Sequence, residues 1–497
     1  MDPGESSALI GRPVVTRTAD GRAWWRALIA VVVAVWASGC LALIVARSSK
    51  PNFSPWRASE NVSSFFWISD LHIEPIYDYQ SPPNADGVCR QSVSLANGCP
   101  SASFSAKGGA FPFGRIGCDP PLSLLESMLT KMKSIDSEPP FIVLTGDVVA
   151  HSLPCPELLQ TTFRKVATEI TKSFPNARVI VAVGNIDLYP ANHVEIGPDP
   201  QLRRIFDAYD AVDWFNTAHL AKRTFTKGGY YTIRPLPGLR VIVYNSMYYT
   251  VKLKRWNPLL NVYESVGCGH SNRPDDPLKQ LSWMQEQLSR AEKDGEKVYL
   301  MSHISPGAKE RNYNWCPRFL EAFETLLKRY KSTIVAQFYG DHNRNELRVF
   351  YDSSNEPISV SFILPGLTPR RPTLEGSNPV FRQVFFDSST KALVDFKDYV
   401  FPLQEANFKS ARGNHKDDFW KALPLYTDDL KLDDMTPSSF AKLVHQFNDN
   451  FELLANYINR QTAYSLGNLD AIEFACQTRY LDHKKTEKCS AGNLDPI

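Results

Sequence analysis

Phe65-Phe66-Trp67-Ile68-Ser69-Asp70-Leu71-His72-Ile73-Glu74-Pro75 is an apolar run that ends in Asp-x-His. A run this short and this apolar reads as a strand buried on both faces. Its last residues then deliver a carboxylate and an imidazole to the rim of a sheet. Alone, Asp-x-His is a weak metal signal.

The pattern recurs along the chain. Phe141-Ile142-Val143-Leu144 leads into Thr145-Gly146-Asp147, and the run from Arg178 to Val183 leads into Gly184-Asn185. Val298-Tyr299-Leu300-Met301 leads into Ser302-His303, and the run from Ile334 to Tyr339 leads into Gly340-Asp341-His342-Asn343. Open α/β sheets hold their ligands beyond the carboxyl ends of the strands, where all five of these segments place theirs. Helical periodicity over 122–135, 157–173, 199–209, 278–293 and 319–331 separates the strands, with Pro120-Pro121 at a helix start. Such alternation predicts an α/β fold with a parallel or mixed sheet covered on both faces. From Glu346 the pattern changes to strands at 347–351, 359–364, 382–386 and 393–396. These are expected to pair antiparallel as a second sheet, before a helical tail beyond Gln404.

The motif order DxH, GD, GN, H and G-x-x-N resembles the binuclear metallophosphoesterase (calcineurin-like) superfamily. DLHIEPIYD (70–78), TGDVVAHSLP (145–154), SHISPG (302–307) and the long tail after 400 resemble its acid sphingomyelinase-like branch. GNIDLYPANHVEIGP (184–198) and a fifth motif ending in Asn are most similar to endopolyphosphatases. The resemblance covers about residues 64–490 and implies a two-sheet sandwich flanked by helices over 64–402, with a small helical C-terminal subdomain over 403–497.

It also implies two divalent ions that activate water and neutralise phosphoryl charge. Asp70 and His72 would hold the first ion, Asp147 would bridge, and Asn185 and His303 would hold the second. Asp341 and Asn343 would complete the set, with His342 as a one-residue alternative to Asp341. Asp147, Asn185 and His151, which matches a family histidine, are the catalytic candidates. Among Mn, Mg, Fe and Zn, a site so rich in oxygen donors favours the harder cations Mn²⁺ and Mg²⁺. Against these stands the plain reading of each residue as a loop cap, a turn residue or a buried histidine.

Three positions depart from the family. Ile186 stands where many members have a histidine that assists the leaving oxygen, a contribution of roughly 10²–10⁴-fold. Asp341 and Asn343 stand where histidines are usual. Losing the acid suits a phosphoanhydride, whose leaving group is a weak base, better than an alkoxide. The expectation is therefore an endopolyphosphatase acting on polyphosphate, with two alternatives: a sphingomyelinase-like phosphodiesterase, and a catalytically reduced binding protein. Lys252, Lys254, Arg255 and Arg311 are candidates for a polyanion path. His193 and His270 match no family position.

The 497 residues exceed a usual single core, and 43% hydrophobic with 22% charged content is ordinary for a globular protein. A net charge of +2 requires any attraction for anions to be local, and no nucleic-acid-binding module is visible. Residues 27–46 carry no charge and are long enough to span a bilayer, so a signal anchor is expected rather than a cleaved signal peptide. This divides the chain into a cytoplasmic tail (1–26), the anchor (27–46), a stalk (47–63) and a lumenal remainder. The tail's Glu5-Ser6-Ser7-Ala8-Leu9-Ile10 resembles an acidic dileucine sorting signal, which points to a lysosome- or vacuole-like compartment. Sequons at Asn52 and Asn61 and eight cysteines beyond Cys40 suit an oxidising lumen. Pairing among Cys89, Cys99, Cys118, Cys155, Cys268, Cys316, Cys476 and Cys489 is one of roughly a hundred combinations, with Cys89, Cys99 and Cys118 pinning a loop and Cys476 placed to meet Cys489.

Overall fold

The computed structural model describes residues 61–83, 87–91, 98–104, 111–197, 199–215, 219–269, 273–309, 312–370, 377–413, 418–463 and 476–490. The expected anchor at 27–46, the tail before it and the sequon at Asn52 lie outside these residues. Among those described, no helix is long and apolar enough to cross a membrane.

Three buried apolar strands, β1 (Val62–Ile68), β2 (Phe141–Leu144) and β3 (Arg178–Val181), pair in parallel. Four short strands follow: β4 (Tyr231–Leu236), β5 (Leu239–Val243), β6 (Lys254–Asn257) and β7 (Val262–Ser265). Then come β8 (Lys297–Met301), β9 (Ala308–Lys309), β10 (Asn312–Tyr313) and β11 (Ile334–Tyr339). The last strands are β12 (Glu346–Tyr351), β13 (Pro357–Ile363), β14 (Val380–Asp387), β15 (Leu393–Val400) and β16 (Lys421–Ala422).

Two six-stranded sheets result, in the orders β16-β15-β14-β1-β2-β3 and β12-β13-β11-β8-β5-β4. Their inner faces interlock through aromatic rings. Trp67 of the first sheet meets Phe338 of the second edge-on at 4.9 Å, and Phe396 meets Phe362 at the same separation. Offset and edge-to-face contacts of this kind fill the space between sheets without polar atoms.

The late strands do not make a sheet of their own, as the sequence suggested. β13 joins β11 in parallel, with Gln337 opposite Ser361, while β14 joins β1 antiparallel, with Phe65 opposite Val384. Each sheet thus receives one late hairpin, β12–β13 or β14–β15. Strand periodicity marks which residues point inward but not which edge the strand will join.

The eight cysteines form four disulfides: Cys89–Cys118, Cys99–Cys155, Cys268–Cys316 and Cys476–Cys489. Cys99 therefore leaves its loop to meet the residue preceding the helix Pro156–Ser173.

The C-terminal segment is tied to the core by buried charge. Asp398 on β15 accepts from Arg382 at 2.6 Å and faces Arg460 at 3.3 Å. The backbone of Asn345, just past the fifth motif, donates to the Gln461 carbonyl at 3.2 Å.

Candidate metal centre

The parallel ladder continues past the ends of β1 and β2 and aligns the first two motifs. Asp70 N–H donates to the Gly146 carbonyl and His72 N–H to the Asp147 carbonyl, each at 3.0 Å. Gly340 N–H donates to the His303 carbonyl at 2.9 Å, which aligns the fourth and fifth motifs in the other sheet. Asp70, His72, Asp147, Asp341 and Asn343 all take left-handed backbone conformations, with φ between 44° and 70°. Non-glycine residues seldom adopt this region, and where they do, function is the common reason. Glycines flank the turn: a Cβ on Gly340 would collide with Ser69 Oγ and Asp70 Oδ2, and one on Gly184 with the Asp147 backbone.

The side chains converge. His72 Nε2 lies 3.4 Å from Asp147 Oδ2 and 3.9 Å from Asp70 Oδ1. His303 Nε2 lies 3.1 Å from Asp147 Oδ2, 3.0 Å from Asn185 Oδ1 and 3.9 Å from Asp341 Oδ1. Asp147 thus stands between a first group, Asp70 and His72, and a second, Asn185, His303 and Asp341. All are buried, and His72, Asp147, Asn185 and Asp341 line a cavity of about 140 Å³ together with Asn343, His342, His151 and Ile186.

These residues suit cations. Thr145 and Val149 offer only carbonyl oxygens to the Nδ1 atoms of His303 (2.7 Å) and His72 (3.1 Å), so each Nδ1 carries the proton. Both Nε2 atoms then face the carboxylates, and His72 Nε2 is buried with no hydrogen-bond partner. Burial acts to lower the His303 imidazole, yet Asp147, with Asp70 and Asp341, pushes it up to about 10. Burial, reinforced by Asp147 and Asp341, pushes the Asp70 carboxyl up to about 7. Burial pushes His72 down to about 4. On Asp147 burial acts in the opposite direction, yet His303 and the Ile186 amide at 2.8 Å hold its carboxyl below the usual range. Three buried carboxylates packed this closely require positive charge among them.

Several residues that build the site were not singled out from the sequence. Asp187 accepts from the amides of Asp147 (3.0 Å), Val148 (2.7 Å) and Gly184 (2.8 Å), and so fixes the loops of the second and third motifs together. A relay runs from Trp67 Nε1 to Thr145 Oγ1 (3.1 Å), on to Ser69 Oγ (2.6 Å) and then to Asp70 Oδ2. The adjacency of Ser69 and Asp187 to motif residues was the available signal.

His151 stacks on His72, with ring centroids 4.2 Å apart. Its Nδ1 donates to buried Asp119 at 2.9 Å, and Arg370 donates to its Nε2 at 2.5 Å. His342 is held by Glu346 at 2.9 Å and Asn314 at 3.0 Å. The cluster therefore takes Asp341 rather than His342 at its edge. Ile186 faces the cavity with an apolar side chain. Of the basic residues expected to form a polyanion path, Lys252 lines the cavity, and Arg344 and Arg370 line it too. Lys254 and Arg255 lie on β6; Arg311 and His270 lie outside the described residues.

No family model matches the chain. It is 31% identical over 374 residues to the acid sphingomyelinase-like phosphodiesterase 3b of Mus musculus, covering 71% of this chain and 74% of the mouse protein. The human protein of the same name is 28% identical over 464 residues, 89% of this chain and 93% of that one. The human cyclic GMP-AMP phosphodiesterase SMPDL3A is 28% identical over 435 residues, 85% of this chain and 86% of the other.

Proposed function

The chain belongs to the acid sphingomyelinase-like phosphodiesterases, a branch of the calcineurin-like metallophosphoesterases, and from that premise we propose that it is a metal-dependent phosphodiesterase. This shifts the reading away from endopolyphosphatase, because the relatives reported above are phosphodiesterases by name. The observation that carries it is the convergence of Asp70, His72, Asp147, Asn185, His303 and Asp341 on one buried centre.

In this reading Asp70 and His72 would hold one divalent ion and Asn185, His303 and Asp341 another, with Asp147 available to both. Asn343 supports the second group. Bound divalent ions supply Lewis acidity toward phosphoryl oxygens and lower the pKa of water. The chain's own residues do the rest. Asp187 fixes the Asp147 turn, while Thr145 and Val149 fix the histidine tautomers. Arg370, braced on His151, directs positive charge into the cavity, where phosphoryl oxygens would lie.

A second reading, hydrolysis of phosphoanhydrides such as polyphosphate, is favoured by Ile186. No side chain at that position can protonate a leaving oxygen, so leaving groups that need little protonation are preferred. The basic residues Lys252, Arg344 and Arg370 at the cavity also suit a polyanion.

The test is metal analysis of the purified protein, with parallel assays on bis(4-nitrophenyl) phosphate, sphingomyelin and long-chain polyphosphate. Chelator-sensitive diester hydrolysis that Asp147→Asn abolishes supports the main reading. Polyphosphate shortening without diester hydrolysis supports the second. A metal-free protein inert toward all three would identify a binding protein.

A further inference from the structure

β6 and β7 form a two-stranded hairpin, with Trp256 opposite Tyr263 and Arg255 opposite Glu264. At its tip the chain reads Pro258-Leu259-Leu260-Asn261, and Leu259 and Leu260 are 93% and 66% exposed. Of the eight large hydrophobic residues exposed among the described residues, five lie here: Trp256, Leu259, Leu260, Val262 and Tyr263. Single exposed apolar side chains need no explanation, but a cluster on a projecting element does.

The hairpin is layered along its length. Two leucines occupy the tip, and Trp256 and Tyr263 pack together below them with ring centroids 4.9 Å apart. Lys252, Lys254 and Arg255 stand at the root, where Glu264 is the one acidic residue between positions 252 and 265. Apolar, aromatic and basic layers match hydrocarbon, headgroup boundary and lipid phosphate in that order. A protein partner fits less well. Five exposed side chains on a two-stranded hairpin fall short of the ~800 Å² per partner that a stable protein interface buries.

The hairpin is also braced against the catalytic cavity. Lys254 N–H donates to the Asn192 carbonyl at 2.9 Å, and Asn192 N–H donates to the Asn185 carbonyl at 2.9 Å. Tyr263 meets the His193 ring at 4.6 Å, and Lys252, two residues before β6, lines the cavity.

We propose that this hairpin is a membrane-docking element. Leu259 and Leu260 enter an anionic bilayer surface, Trp256 and Tyr263 rest at headgroup level, and the basic root meets lipid phosphates, which brings the cavity mouth to the membrane. This is independent of residues 27–46 and of the reaction catalysed.

The experiment places an environment-sensitive fluorophore on the full chain as Leu260→Cys, with Cys40→Ser removing the cysteine outside the four disulfides. The protein is reconstituted in phosphatidylcholine vesicles with or without about one quarter phosphatidylserine. The expected result in anionic vesicles is a blue shift, roughly threefold brighter emission and quenching by nitroxide-labelled lipid. Lys254→Glu should remove most of that gain. In parallel, Leu259→Ser with Leu260→Ser on the unlabelled chain should reduce quenching of tryptophan emission by brominated lipid. Emission identical with and without vesicles overturns the proposal. So does a shift that follows protein concentration in detergent without lipid, which would identify a second copy as the occupant. Equal responses in neutral and anionic vesicles overturn the role of the basic root.

Discussion

The carboxylate of Asp187 accepts the backbone amide of Asp147 at 3.0 Å, which makes a residue outside the metal-facing cluster the support for its central member. Asp187→Ala leaves the buried amides of Asp147, Val148 and Gly184 without this acceptor. A loss of about 2–4 kcal/mol in unfolding free energy is expected. Metal affinity should fall about 10–100-fold, as when an outer partner of a ligand is removed. Urea unfolding and metal titration read the two effects separately.

Ile186→His places an imidazole at the cavity where the wild-type chain has a methyl-bearing side chain. Hydrolysis of diesters with alkoxide leaving groups should rise by up to about 10²-fold. Diesters with nitrophenolate leaving groups, which need no proton, should change little. The ratio of the two rates in one preparation is the measurement, and equal changes in both would show that position 186 does not face the leaving oxygen.

Asp341→His combined with Asn343→His replaces two oxygen donors with nitrogens. Selectivity should move toward Zn²⁺ and away from Mn²⁺ by about tenfold or more. Competition titration with the two metals checks this, and an unchanged ratio would place both residues outside the coordination sphere.

His151 and its neighbours hold the Asp119 carboxyl down at about 2, below its ordinary 3.8, although burial acts in the opposite direction. The folded protein therefore prefers ionised Asp119 more strongly than the unfolded chain does. The resulting stability, about 2 kcal/mol, is present above about pH 4 and is lost as pH falls through about 2. Asp119→Asn should lower stability at pH 5 by about that amount and flatten the dependence between pH 4 and 2. Denaturant unfolding at a series of pH values reads the slope.

The five strand ends carrying Asp70, Asp147, Asn185, His303 and Asp341 were legible because each apolar run stops at a short polar motif, a purely local signal. Asp341 and His342 are adjacent in the sequence, and only the fold shows Glu346 and Asn314 bonded to the imidazole while Asp341 Oδ1 lies 3.9 Å from His303 Nε2. Asp119 and Arg370 lie 32 and 219 residues from His151 in the chain, so their contact with it had no local trace. The late hairpins were recognised as strands, but their assignment to two different sheets depends on which edges β1 and β11 leave open. Cys99 chose Cys155 over nearer cysteines for the same reason: distance in space, not along the chain, decides the partner.

The link between Asn345 and Gln461 gives the protein an order of assembly during synthesis. When the ribosome has translated the fifth motif, every donor of the centre has been made, yet the segment that braces its last turn is still about a hundred residues away. A chain stopped before Gln461 would therefore contain every proposed ligand and yet lack this hydrogen bond behind the fifth motif.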